Sequence, residues 1–305
     1  MKRGKGLRIG LIGCGSMGKF YSRLIPTLPG AKLSAVSDLD PQLAEETGRT
    51  HGVPFYTDFS HLMPDIEAVC IVTPAKTHFS IASACLEAGK HVLLEKPFTG
   101  SSLLAQDLIK LAKSKSLILA ASFLERFNPA FSKLLKLIKG EKLHGIDIKR
   151  FSPFPERISD ANVIFDMMIH DLDLLNCITQ DLITDIKAEG EKLRTKMLDR
   201  VVASFTHQSG IISRVHANRV YSSKVRSVTV TTEKELIEAD LLNKRIYIRD
   251  FSSPQPSTVP LRDCNQLFEQ LKGFVKACKN LGPFHIEAEA AVRALTLAEE
   301  VEKLC

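Results

Sequence analysis

No apolar run in these 305 residues approaches the ~20 needed to cross a bilayer. The longest candidate, residues 117–124 (LILAASFL), suits one buried strand, so no membrane partner is expected. The first residues are basic but lead straight into an apolar stretch. They have no separate apolar core and no cleavage site, so no signal peptide is expected. The seven cysteines are scattered, odd in number and contain no C-x-x-C pair. Cys70 and Cys85 lie in apolar surroundings and read as small buried hydrophobes, which suits a reducing cytoplasm; no metal site is expected. A net charge of +6 comes without a clustered basic face interleaved with aromatics, so nucleic acid is not expected as a partner. The mildly basic surface suits an anionic small substrate instead. Internal repeats and low-complexity tracts are absent as well. What remains is an ordinary globular composition, 44% hydrophobic and 25% charged, long enough for about two domains.

The most informative stretch is residues 8–18, RIGLIGCGSMG. A short apolar run breaks into Gly13, Cys14, Gly15, Ser16, Met17 and Gly18, and a helical pattern follows from Lys19. This is a G-x-G-x-x-G turn between a first strand and a first helix. Gly13 permits the tight turn, Gly15 lets a pyrophosphate approach the backbone, and Gly18 lets helix and strand pack closely. Free N–H groups at the helix start would face the phosphates. Asp38 lies twenty residues beyond Gly18, at the end of a second strand, residues 32–37. Its carboxylate suits the two ribose hydroxyls of an adenosine and would repel a 2′-phosphate, so NAD is expected rather than NADP. Asp38 and Asp40 are both alternatives for capping the helix that begins at Pro41.

Near-continuous apolar strands alternate with helices up to about residue 122. They predict an α/β Rossmann domain, a doubly wound parallel sheet, over residues 1–122. Ligands should sit at the carboxyl ends of its strands, where Gly13, Asp38, Thr73 and Lys96 fall. Thr73 and Pro74 could line the nicotinamide ribose; His78 is either a dinucleotide contact or a helix-start residue. Residues 123–305 read as an α+β domain for substrate binding and oligomerisation, with a large, mainly antiparallel open sheet. The last helix is free to pack back on the first domain. Val228, Val230, Ile246 and Ile248 are expected on an apolar outer face of that sheet, closed by assembly into a homodimer or homotetramer. Helices are expected over residues 129–139, 163–178, 267–281 and 287–304, and a loop over 252–260.

At Glu95, Lys96 and Pro97 the sequence resembles the Gfo/Idh/MocA oxidoreductases, whose signature is this E-K-P. Residues 73–78 and 87–97 follow the family pattern nearly throughout, and its second signature, D-x-x-x-H, stands at Asp166 and His170. The resemblance covers essentially the whole chain. It implies Lys96, Asp166 and His170 as catalytic residues that also contact substrate. It places Glu95 and Lys96 beside the dinucleotide and implies a cis Lys96–Pro97 bond. The chemistry agrees: Asp166 and His170, four apart, project from one helix face, and Asp173 follows on that face. An imidazole beside a carboxylate suits a general base. Lys96 supplies positive charge where an alkoxide develops. The alternative is an ordinary surface pair. Asn162 stands where many members have a glycine; it tolerates a positive φ.

Residues 125–130, 150–158 and 165–174 resemble the branch that oxidises the 3-hydroxyl of UDP-N-acetylglucosamine. That branch implies a 3-keto sugar nucleotide, passed to an aminotransferase for a 2,3-diamino sugar of the lipid A type. Arg126 and Arg157 suit contacts to a substrate diphosphate, and Arg150 less so; the alternative is pairing with nearby carboxylates such as Glu125. Spacing alone supports a polyol or sugar dehydrogenase, of inositol or glucose type for example. Other members of the fold are non-catalytic regulators or NAD-dependent glycosidases.

Overall fold

The computed structural model describes residues 6–154, 162–284 and 286–305. Its contacts divide the chain into two compact units, one of residues up to 123 with 265–292, the other of 124–264 with 293–305.

The first unit is built on six parallel strands: β1 (Leu7–Ile12), β2 (Ala31–Ser37), β3 (Phe55–Tyr56), β4 (Ala68–Ile71), β5 (His91–Leu94) and β6 (Leu119–Ala121). They lie in the order β3-β2-β1-β4-β5-β6. The order reverses between β1 and β4, and that reversal opens a crevice at their carboxyl ends. Helices α1 (Ser16–Leu24), α2 (Pro41–His51), α3 (His78–Glu87) and α4 (Ser102–Ser114) connect the strands. Every residue of β4 is buried, which explains its unbroken apolar sequence.

In the second unit, eight strands form one sheet: β7 (Leu143–Phe151), β8 (Ile183–Glu191), β9 (Arg200–His207), β10 (Ile212–Asn218), β11 (Val225–Thr232), β12 (Glu235–Asp240), β13 (Arg245–Asp250) and β14 (Ser257–Val259). The order is β14-β13-β12-β11-β7-β10-β9-β8; β7 and β10 are parallel and every other neighbouring pair is antiparallel. Strand β14 lies inside the stretch expected as a loop. Helices α5 (Pro129–Leu137) and α6 (Ile169–Thr179) contribute Leu134, Leu172 and Leu175 to the core on the sheet.

Two expectations are corrected here. Val228, Val230 and Ile246 are fully buried in this core and Ile248 packs against it, so they do not form an apolar outer face. Strand alternation fixes that only one set faces the helices. The opposite set includes Asp147, Thr229, Glu238 and Tyr247, in register across β7, β11, β12 and β13. The second correction concerns the domain boundary. Residues 265–292, with α7 (Gln266–Cys278), belong to the first unit, whereas α8 (Ala288–Leu304) starts there and ends in the second. The Gln270 amide donates to Ser122 at 3.0 Å, the Lys279 ammonium to the Gly30 carbonyl at 3.4 Å, and Glu287 bridges to Ala120. Such pairings are set by contacts through space, not by position along the chain.

Candidate active site

At the glycine turn, Gly13 has φ +98°, and a Cβ there would lie 2.8 Å from the Val72 carbonyl oxygen. A Cβ on Gly18 would lie 2.2 Å from the Gly13 carbonyl oxygen. Both positions therefore exclude any other residue. Gly15 differs, because nothing in the protein lies within 4 Å of where its Cβ would be. Packing does not demand glycine at Gly15; close approach of a ligand to the backbone would. No side chain caps α1, which begins at Ser16, with Met17 partly exposed in its first turn. This arrangement fits a dinucleotide phosphate.

Asp38 is turned toward the same loop. Its Oδ2 accepts from the Cys14 N–H at 2.6 Å and its Oδ1 from the Asp40 N–H at 2.9 Å. Asp40 is the cap of α2, accepting from the Gln42 and Leu43 N–H groups. The two acidic residues thus divide the work, and Asp38 stays beside the glycine turn where an adenosine ribose would lie.

At the end of β4, the Thr73 hydroxyl accepts from Thr77 at 2.8 Å, and Pro74 precedes a short turn into α3. His78 is 1% exposed, and its ring nitrogens lie 2.8 Å from the carbonyl oxygens of Pro97 and Thr73. Glu95 is also buried; one carboxylate oxygen accepts from Tyr21 (2.6 Å) and Ser122 (2.8 Å), the other from the Lys96 N–H (3.1 Å). His78 is the first residue of α3, the helix-start alternative, and the polar atoms of both His78 and Glu95 have partners inside the protein. Both brace the Lys96–Pro97 peptide, which is cis.

In the second unit, the Asn162 Oδ1 accepts from the N–H groups of Ile164 and Phe165, so this residue acts as a helix cap in place of the common glycine. Residues Ile164–Met168 form a π-helical turn that runs directly into α6. Asp166 lies in the π turn and His170 in the first turn of α6. Sequence periodicity predicted one uninterrupted α-helix here. Such π turns recur at functional sites. Asp166 and His170 are half-buried, whereas Ile164, Met168 and Ile169 are fully buried. The pair thus occupies the more open face of a helix anchored through its other side.

Buried ion pairs form that anchor. Asp173 is buried too and does not share the open face; Arg126 grips it with a two-pronged fork, its Nε 2.7 Å from Oδ2 and its Nη2 2.5 Å from Oδ1. Arg150, 4% exposed, grips Asp171 at 2.8–3.0 Å and reaches Glu125 at 3.2 Å. Burial pushes the Asp171 and Asp173 carboxyls up, and their guanidinium partners pull them partly back. Burial also raises Glu125, but Arg150 and Arg226 outweigh it and hold that carboxyl below its ordinary value. Arg126 and Arg150 therefore follow the carboxylate-pairing alternative. Arg157 lies outside the described residues. The signal missed in the sequence was the pair of inward acids, Asp171 and Asp173, on an otherwise apolar helix side.

The start of the helix is tied down as well: the Val163 N–H donates to the Leu198 carbonyl at 3.0 Å. The loop before Leu198 wraps around Asp199, which is fully buried. Its carboxylate accepts from the N–H groups of Leu193, Arg194 and Thr195 at 2.7–2.9 Å and from Arg219 at 2.9 Å.

Comparison with known proteins agrees with this geometry. Among the described residues, no helix is long and apolar enough to cross a membrane. The chain is 29% identical to UDP-N-acetylglucosamine 3-dehydrogenase of Acidithiobacillus ferrooxidans, over 97% of this chain and 96% of that protein. A solved structure of that dehydrogenase superposes with a TM-score of 0.92, covering 98% of this chain and 97% of its own. Myo-inositol 2-dehydrogenase of Thermotoga maritima is 25% identical, over 97% of this chain and 96% of that protein. Residues 7–123 match the family model of the oxidoreductase NAD-binding Rossmann fold, and residues 147–238 match the Gfo/Idh/MocA C-terminal domain. The chain belongs to the Gfo/Idh/MocA oxidoreductase family, and its first unit carries that family's NAD-binding fold.

Proposed function

We propose that this protein oxidises the 3-hydroxyl of UDP-N-acetylglucosamine to a 3-keto sugar nucleotide. The observation that carries the reading is likeness to a UDP-N-acetylglucosamine 3-dehydrogenase over nearly the whole of both chains. NAD, held by the first unit, would supply the acceptor for the hydride that leaves C3. His170 takes the proton from O3, Asp166 orients and supports the imidazole, and Lys96 offsets the negative charge on oxygen as the proton departs. Gly13, Gly15, Gly18, Ser16 and Met17 would hold the pyrophosphate, Asp38 the adenosine ribose, and Thr73 and Pro74 the nicotinamide ribose. Arg157 is the proposed diphosphate contact; Arg126 is left out because Asp173 occupies its fork.

The test is to mix the protein with NAD and UDP-N-acetylglucosamine and follow NADH absorbance. Absorbance should rise, with a 3-keto product trapped by a carbonyl reagent. Turnover of free inositol with none of the nucleotide sugar would favour the second reading, a polyol dehydrogenase, which the equal coverage of the inositol enzyme supports. Silence with every sugar, despite NADH binding, would favour a non-catalytic regulator. A 3-keto product implies a partner reaction, transamination to a 2,3-diamino sugar of the lipid A type, in the cytoplasm. The broad sheet, with no helix of its own unit on the face of Thr229 and Tyr247 among the described residues, supports assembly as a homodimer or homotetramer.

A further inference from the structure

We infer that Tyr21, Ser122, Gln270 and His78 form a buried clamp that positions Lys96 for the reaction. All belong to the first unit, and they act on the Lys96–Pro97 peptide from both ends. At one end, the Lys96 N–H donates to a Glu95 carboxylate oxygen at 3.1 Å. The other Glu95 oxygen accepts two hydroxyl protons, from Tyr21 at 2.6 Å and Ser122 at 2.8 Å. The Gln270 amide donates to Ser122 at 3.0 Å and reaches Tyr21 at 3.5 Å. At the other end, the Pro97 carbonyl lies 2.8 Å from His78, whose second nitrogen is 2.8 Å from the Thr73 carbonyl. His78 thus also couples the end of β4 to the turn after β5.

Tyr21 and Gln270 are fully buried, Ser122 is 2% exposed and His78 1%. None presents its polar atoms to solvent: the Tyr21 and Ser122 hydroxyls, the Gln270 Nε2 and both His78 ring nitrogens meet one another, Glu95 or this backbone, while the Gln270 Oε1 is buried without a partner among the described residues. A buried carboxylate held by three donors keeps one orientation. The Lys96 main chain, fixed at both flanks, leaves only the side-chain torsions to place the ammonium. Small misplacements of a reacting group have large rate effects. Tyr21 stands only three residues beyond Gly18. The helix that offers its N-terminus to the phosphates therefore also fixes the charge that serves the chemistry. These are positioning residues, acting through Glu95 and Pro97.

The inference rests on the proposed role of Lys96, and its test has an arm independent of turnover. Amide hydrogen exchange of the cofactor-free full chain, wild type against Tyr21→Phe, Ser122→Ala and the double variant, reads the clamp directly. Protection of residues 94–98 should fall about tenfold in the double variant and that of β2 stay unchanged. NADH binding, followed by fluorescence, should change less than about threefold. In turnover, kcat should fall about tenfold in each single variant and about a hundredfold in the double. In a Glu95→Ala background, which removes the acceptor, Tyr21→Phe should add nothing further. Unchanged exchange at 94–98 would overturn the clamp, as would a loss spread over the whole first unit with a parallel loss of NADH binding. If the wild type fails to oxidise UDP-N-acetylglucosamine, the exchange and binding arms still decide the clamp, and only the functional reading falls.

Discussion

Asp38 and Asp40 show how little separates a binding residue from a capping one. Both carboxylates accept backbone N–H groups; one set belongs to the start of α2, the other includes the glycine turn. Removing the Asp38 carboxylate should therefore weaken the cofactor and leave the helix intact. For Asp38→Ala we expect NADH affinity to fall by tenfold or more in a fluorescence titration, with discrimination against NADP reduced and the thermal midpoint little changed. His170 lends itself to a comparable test. His170→Ala should lower kcat by about a hundredfold or more while NADH binding holds, if its imidazole takes the proton. Turnover near that of the wild type would remove it from the mechanism.

The helix that carries Asp166 and His170 owes its place to charges beneath it. Arg150→Met would leave Glu125 and Asp171 buried without their shared cation, and a broken buried pair costs about 3–5 kcal/mol. We expect that loss in urea unfolding, together with a fall in kcat larger than any change in NADH affinity. The loop around Asp199 predicts a pH dependence. Burial raises that carboxyl, but the N–H groups of Thr195 and Arg194 and the Arg219 guanidinium outweigh it and hold it well below the ordinary range. A depressed folded value means that the stabilisation is complete above the unfolded value, about 3.9, and is lost as pH falls below it. Stability measured by urea unfolding should thus drop on acidification through that range. Asp199→Asn should be weaker by about 2 kcal/mol at neutral pH and show a flatter acid limb.

For the assembled protein, the row Asp147, Thr229, Glu238 and Tyr247 is the face through which copies are expected to meet. Sedimentation should show a dimer or tetramer. Thr229→Glu, which sets a third carboxylate between Asp147 and Glu238, should shift it toward monomer. A monomeric wild type would sink the proposal. The two units also show why α7 was misplaced from sequence. Its apolar face, Leu271, Phe274 and Val275, is buried, but an apolar face does not by itself say which unit it meets. The choice rests on specific partners such as Ser122 and Gly30.

Local order was legible in the sequence because its causes are local. The glycine turn needs residues without a Cβ at Gly13 and Gly18. Strands covered on both faces need unbroken apolar runs such as β4, and E-K-P and D-x-x-x-H are short contiguous signatures. The sequence alone therefore determined the Rossmann unit with its NAD-binding fold and the mainly antiparallel second sheet. Tertiary structure decided which polar groups meet. Tyr21 and Glu95 are 74 residues apart, Arg126 and Asp173 are 47. A strand's alternation says that two faces differ but not which one the helices cover, so Val228 and Val230 were assigned to the wrong side. Likewise an arginine reads as a ligand contact until a carboxylate, brought beside it by folding and stripped of water, fills its fork.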